Sequence, residues 1–161
     1  MDPRVVPLAN ILRLNTILFR NCLESLDDNA AALRPSSETN NIAFVAAHVT
    51  DSRFFLLRVL GAERPNPLAA YLEGARGIDD LQRLPPLADV QAAWTVASRT
   101  LRDRLPALTA TELDRPPAAR LPGPELTMLD TLTFFVQHDS HHLGQLALLR
   151  KYAGFPEMRY P

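Results

Sequence analysis

Four long stretches of this chain carry apolar residues at steps of three and four, and this spacing constrains the fold more than any other feature. It is the period of an α-helix that buries one face. The pattern predicts helices over residues 8–26, 41–60, 87–105 and 127–152. No segment shows the strict alternation of apolar and polar residues that a half-buried strand requires. The sequence therefore predicts an all-α protein.

Residues that begin or end helices stand at the ends of these stretches. Asn40 or Asn41 can cap the second helix, and Gly61 can stop it. Pro106 ends the third helix, because proline disfavours helical backbone in the residue before it. Thr127 opens a capping-box pattern at the start of the fourth helix. These local signals support the helix boundaries that the periodicity predicts.

Two long connections, both rich in proline, separate the second helix from the third and the third from the fourth. The first covers residues 61–86 and the second residues 107–125. Both are long for a turn between neighbouring helices. The first can span the length of a bundle, which would allow the second and third helices to run parallel. At 161 residues the chain is predicted to form one domain, residues 1–161, a four-helix bundle with two long connections.

Charge and composition exclude several classes of partner. The chain has 17 basic and 18 acidic residues, a formal net charge of -1, so it offers no electrostatic reason to expect nucleic acid or an anionic membrane. No stretch approaches the roughly 18 uninterrupted apolar residues of a membrane span. The single cysteine, Cys22, excludes an internal disulfide and lies on an apolar stripe, as a packed core thiol would. We expect a cytoplasmic protein.

The four histidines lie in only two of the predicted helices, His48 in the second and the others at 138, 141 and 142 in the fourth. At about 100° per residue, His142 lies roughly 40° from His138 on the apolar side of the helix. His141 lies about 60° away on the other side by the same geometry. His138 and His142 therefore form an inward pair. With His48 as a third ligand, a divalent metal would keep an open position, as catalysis requires.

Ordinary packing is the competing interpretation of these histidines. A histidine on an apolar face is usually a hydrogen-bonded core residue, and a pair four residues apart can arise by chance. Asp51, Asp139 and Gln145 lie beside the histidines and are candidates for contacts around a metal, while no residue is identified as catalytic. The zinc-protease pattern His-Glu-x-x-His is matched only weakly, because Asp139 is shorter than glutamate by about 1.5 Å. The residues alone leave both interpretations open.

The chain resembles the DinB/YfiT-like superfamily of four-helix bundles. Two passages carry the resemblance: NIAFVAAHVTDSR, at residues 41–53, and HDSHHLGQL, at residues 138–146. Relatives often show His-x-x-His-His-x-Gly-Gln in the second passage. The chain length and the long connections also fit, so the resemblance covers nearly the whole chain. One departure is Leu143, where many relatives carry arginine, and the lost cation could change how an anionic substrate or a neighbouring carboxylate is held.

The resemblance implies a three-histidine site, His48, His138 and His142, that binds zinc or nickel. It also implies thiol-dependent chemistry, because mycothiol-dependent maleylpyruvate isomerase and low-molecular-weight thiol S-transferases belong to the superfamily. We therefore expect a metal-dependent transferase that uses such a thiol and a small-molecule substrate. A metal-dependent hydrolase and a non-catalytic metal-binding or stress-responsive protein are the alternatives. A homodimer formed through an apolar stripe of the first or fourth helix is also expected.

Overall fold

A computed structural model describes residues 1–75, 77–117 and 127–161 of the chain. In chain order the α-helices are α1 (Val6–Leu23), α2 (Asp28–Ala32), α3 (Ile42–Val59), α4 (Ala69–Leu72), α5 (Leu87–Arg104), α6 (Ala110–Leu113) and α7 (Met128–Tyr152). Two 3-10 turns lie at Ile78–Asp80 and Leu105–Ala107. The described residues contain no strand, and the prediction of an all-α bundle is confirmed. Residues 118–126, within and just beyond the second predicted connection, lie outside the described ranges.

The helix ends follow the local signals in most places. The side chain of Asn41 accepts a hydrogen bond of 2.8 Å from the backbone N–H of Phe44 and so caps α3. Thr127 and Asp130 form the predicted capping box at the start of α7. The first helix was predicted to continue to residue 26, and this end is wrong. Ser25 has a φ of 63°, in the left-handed region, so the helical backbone cannot continue through it.

The second and third long helices, α3 and α5, run parallel, as their long connection allows. Near their C-terminal ends, Arg104 Nε donates a hydrogen bond of 2.8 Å to the carbonyl of Leu60. Further along both helices, Arg53 Nη1 donates to Ser98 Oγ at 2.7 Å. Equivalent parts of the two helices therefore lie side by side. The connection between them returns the chain to the end of the bundle where α3 begins.

The first and last long helices, α1 and α7, also run parallel. Arg150 Nη1, near the end of α7, donates to the carbonyl of Cys22 near the end of α1 at 3.2 Å. In the middle of both helices, Asn15 Nδ2 donates to Ser140 Oγ at 3.0 Å. The α7 helix packs against both α1 and α3, and α5 packs against α3 and α1. The bundle thus consists of two parallel pairs that run in opposite directions.

The core lies along the common axis of the four long helices. Trp94 of α5 is fully buried and stacks on Phe19 of α1 with ring centroids 3.9 Å apart. Leucines from α3 and α7 belong to the same core, among them Leu57, Leu132 and Leu146. A core of this kind forms because each long helix buries one apolar stripe. In the part of the chain described here, no helix is both long and apolar enough to cross a membrane.

Candidate metal site

Three histidine rings from two helices converge at one place on the flank of the bundle. The Nε2 atoms of His48 and His138 lie 3.2 Å apart, and those of His138 and His142 lie 3.1 Å apart. One ligand nitrogen from each ring can be chosen so that all three lie within 4.8 Å of one another. All three side chains are half-buried, so the cluster is partly open to solvent. The structure therefore brings together residues that are 90 positions apart in the chain.

The spacing of these nitrogens fits a shared metal ion. Two nitrogens bound to one ion at about 2.1 Å lie roughly 3.0–3.4 Å apart at octahedral or tetrahedral angles. The separations of 3.1 and 3.2 Å fall in that interval. Imidazole is also a donor that zinc, nickel and related divalent ions accept readily. The cluster could therefore hold a divalent metal through three ligands and leave at least one position open.

Gln145 controls the protonation of one of these rings. Its Oε1 lies 2.7 Å from Nδ1 of His142, so the ring donates its Nδ1–H to this oxygen. The lone pair of His142 is then on Nε2, the atom that faces His138. Gln145 Nε2 in turn lies 3.3 Å from Nε2 of His141 and can donate to it. The contact with Gln145 therefore holds His142 in the form that binds a metal through Nε2.

Burial keeps the three imidazoles of the cluster uncharged. Loss of hydration and, to a smaller extent, the neighbouring His142 lower the pKa of His48 to about 4. The pKa of His138 is also lowered to about 4, first by burial and then by the surrounding histidines. Burial likewise lowers the pKa of His142. At neutral pH all three rings therefore carry a free lone pair, which is the form that binds metals.

The other predicted site residues have different positions. His141 is exposed on α7, with its ring 5.1 Å from that of His142, and lies beside the cluster rather than in it. Asp51 accepts a hydrogen bond of 2.6 Å from Asn66 Nδ2, and burial raises the pKa of its carboxyl. Gln145 contacts the cluster directly through His142. Of these three residues, only Gln145 therefore makes a hydrogen bond to one of the three converging rings.

Asp139 faces the core of the bundle. Its carboxylate is paired with Arg53 of α3 at 2.6 Å, and each of these two side chains is 2% exposed. Burial raises the pKa of Asp139, while the charge and the hydrogen bonds of Arg53 oppose this rise. Arg53 was not among the predicted site residues. The available signal was a charged residue within the apolar run of the second helix, which must find a partner when buried.

Two phenylalanine rings lie beside the cluster. The ring of Phe44 is stacked on His48 with centroids 6.2 Å apart, and Phe134 lies 6.0 Å from His138. Among the described residues, the buried Nδ1 of His138 has no hydrogen-bond partner. Leu143 is buried in the hydrophobic core. At this position the chain therefore has an apolar core residue.

Comparison with known proteins agrees with the observed fold. A family model described as the DinB superfamily matches residues 12–146. A crystal structure of a conserved protein from Enterococcus faecalis superposes with a TM-score of 0.74 at 12% identity. That match covers 92% of this chain and 96% of the other. At this identity the likeness shows the fold alone.

No curated protein matches the sequence. The family match nevertheless extends from α1 into α7 and includes His48, His138 and His142. It covers well over half of the 161 residues. The chain therefore belongs to the DinB superfamily.

Proposed function

We propose that this protein is a metal-dependent transferase that uses a low-molecular-weight thiol. Its ligands to a divalent ion, zinc or nickel, would be His48, His138 and His142. The observation that carries the proposal is that three imidazole nitrogens, from α3 and α7, lie within 4.8 Å of one another, with two of the separations at the spacing of ligands to one ion. Membership of the DinB superfamily supports the same assignment.

A divalent ion held there would lower the pKa of a bound thiol or water and so supply a nucleophile near neutral pH. The residues of the chain prepare the site for it. Gln145 holds His142 in the tautomer with a free Nε2. Phe44 and Phe134 lie beside His48 and His138, and the half-buried histidine rings remain reachable by a small molecule.

The positions of the carboxylates favour a thiol over water as nucleophile. A hydrolase of this kind gains from a general base within hydrogen-bond reach of the attacking water, because water bound to zinc keeps a pKa of about 7. Asp139 is paired with Arg53 in the core, and Asp51 is bonded to Asn66. A thiol bound to a metal is deprotonated by the ion itself and does not need such a base. We therefore rank the transferase above the hydrolase.

Metal content is the first test of the proposal. Protein purified without a histidine tag and supplied with Zn²⁺ or Ni²⁺ is expected to retain about one equivalent, because three histidine ligands bind such ions tightly. His138→Ala should lose the metal. His141→Ala is the matched control, because its ring lies beside the cluster, and it should keep the metal. A wild-type content below about a tenth of an equivalent would contradict the site.

Activity separates the three functional interpretations. Metal-loaded protein is mixed with cellular thiols and the electrophile monochlorobimane, and the rate is compared with that of metal-free protein. We expect thiol-dependent turnover that requires the metal and is lost in His138→Ala. Metal-dependent ester or amide hydrolysis without thiol turnover would favour the hydrolase. Bound metal with neither activity would favour a non-catalytic protein that responds to metal or stress.

We also propose that the protein is a cytoplasmic homodimer with a small-molecule substrate. Phe134, Leu148 and Tyr152 are exposed along one side of α7, where a second copy could cover them. Sedimentation equilibrium tests this assembly directly. A dimer that dissociates when Leu148 is replaced by Glu is expected, and a monomer at all concentrations would contradict it.

A further inference from the structure

One guanidinium lies at the centre of the bundle with every donor in use. Arg53 Nε and Nη2 both donate to Asp139 Oδ2, at 2.9 and 2.6 Å. Its Nη1 donates to Thr16 Oγ1 at 2.8 Å and to Ser98 Oγ at 2.7 Å. Its Nη2 also donates to the carbonyl of Leu12 at 3.3 Å. The five N–H groups of an arginine therefore have five hydrogen bonds here.

These contacts connect all four long helices. Arg53 belongs to α3, Asp139 to α7 and Ser98 to α5, while Leu12 and Thr16 belong to α1. The guanidinium also lies over the ring of Trp94 at 3.6 Å. Because charge-assisted hydrogen bonds depend strongly on direction, this arrangement restricts both sliding and rotation of the helices. We call Arg53 and Asp139 the core pair.

The core pair lies next to the candidate metal ligands on the same two helices. Asp139 directly follows His138 and precedes His142 by three residues, while Arg53 lies five residues beyond His48. A side-chain atom about 6 Å from a helix axis moves roughly 1 Å for each 10° of rotation about that axis. A modest rotation of α7 against α3 would therefore change the 3.1–3.2 Å spacing of the nitrogens.

We propose that the core pair positions the metal ligands, by fixing the rotation of α7 relative to α3. This inference rests on the proposed function, because it assumes that the three histidines bind the metal. Neither member of the pair is a catalytic residue, since Arg53 and Asp139 act through the histidines. An apolar pair of similar volume could fill the same space, but without directional bonds it would leave the helices freer to rotate.

The energetics of buried charges support a role beyond stability. Removing two charges from water is costly, and apolar replacements of such pairs are often as stable as the original. Both side chains of the core pair are 2% exposed, so both charges meet this cost. The pair nevertheless occupies the position that links the two ligand-bearing helices. Control of the geometry of the metal site gives a physical reason for a charged pair at this position.

The test uses Arg53→Met combined with Asp139→Leu, which replaces the pair without leaving an unpaired buried charge. Affinity for Zn²⁺ is measured by chelator competition, and the geometry by the visible absorption of bound Co²⁺. We expect the double variant to unfold at a urea concentration close to that of wild type. Its dissociation constant for Zn²⁺ should rise about 10–100-fold, as for other residues that orient ligands. Its Co²⁺ spectrum should also change.

Ser98→Ala is the matched control, because it removes another partner of Arg53 and leaves the contact with Asp139 in place. Its Zn²⁺ affinity should stay within about twofold of wild type. Arg53→Lys serves if the double variant does not fold. It keeps a cation but loses the forked contact, and its dissociation constant should rise at least about tenfold.

The outcomes distinguish the two proposals. Wild-type Zn²⁺ affinity and an unchanged Co²⁺ spectrum in the folded double variant, or wild-type affinity in a folded Arg53→Lys, would overturn the positioning role alone. A wild-type protein that binds no Zn²⁺ would overturn the proposed function and the positioning role together.

Discussion

At the scale of single residues, the chemistry depends on which atom of each side chain is already occupied. His142 Nδ1 is bonded to Gln145, which leaves Nε2 free to face the cluster. Asp139 lies at the helix position next to His138, yet its carboxylate is engaged by Arg53. Two polar side chains that are both near the histidines in sequence therefore have different roles, and hydrogen-bond partners distinguish them.

Replacing Gln145 with Leu should weaken metal binding. The variant loses the acceptor that holds the Nδ1–H tautomer of His142, and loss of such partners typically reduces metal affinity about 10–100-fold. Chelator competition with Zn²⁺ measures the effect. Gln137→Leu, at an exposed position on the same helix, should bind like wild type. Equal affinities for the two variants would show that the contact does not orient the ligand.

The thiol of Cys22 should be inert in the native protein. It is fully buried, and burial raises its pKa from 9.0 to about 11, so the thiolate fraction at pH 8 falls about 100-fold. Ellman's reagent should react slowly with native protein and rapidly in denaturant. Rapid stoichiometric reaction of the native protein would contradict this. A slow reaction would mean that any thiol chemistry uses an external thiol, not Cys22.

At the scale of helices, α3 combines a local start signal with the residues of the site. Asn41 caps its first turn and also donates from Nδ2 to the carbonyl of Ala32 at 3.1 Å, which connects α3 to α2. His48 and Arg53 follow on the same helix. The position of α3 therefore depends on a cap as well as on packing. The position of His48, the candidate metal ligand on this helix, depends on the same two factors.

Asn41→Ala should destabilise the fold by about 1–2 kcal/mol, because it removes the cap of α3 and leaves the carbonyl of Ala32 without this donor. Asn41→Asp keeps an acceptor for the N–H of Phe44, so its free energy of unfolding should fall by less than that of Asn41→Ala. Urea unfolding with a common slope measures both differences. A change within about 0.3 kcal/mol for Asn41→Ala would show that neither contact contributes.

At the scale of the whole molecule, the candidate metal site joins two helices that are far apart in sequence. The α3 and α7 helices run in opposite directions, since Phe55 contacts Phe135 while the earlier His48 contacts the later His142. An ion held by ligands from both helices would bind only the folded bundle. Folding and metal binding are therefore expected to stabilise each other.

Bound metal should raise the free energy of unfolding, and this increase should depend on the histidine ligands. Free Zn²⁺ at 100 times its dissociation constant should add about 2.7 kcal/mol, because it binds the native state preferentially. Urea titrations with Zn²⁺ and with a chelator measure this increment. It should vanish in His48→Ala, which removes the ligand on α3, and persist in His141→Ala. A similar increment in both variants would indicate that Zn²⁺ binds elsewhere.

The sequence by itself determined where the long helices lie and which face of each helix carries the histidines. The apolar period, the cap at Asn41 and the capping box at Thr127 involve residues within a few positions of each other, so these elements could be predicted. The inward orientation of His138 and His142 followed from helical rotation alone. The early end of α1 was missed, because the left-handed backbone of Ser25 has no clear sequence signal.

Only the tertiary structure decided which residues meet across the bundle. It placed His48 beside His138, paired Asp139 with Arg53, and left Gln145 as the side chain that contacts His142. The sequence could name Asp51, Asp139 and Gln145 as neighbours of the histidines but could not rank them. Local periodicity sets which face of a helix is buried. The distance between residues 86 or 90 positions apart depends on how the helices pack.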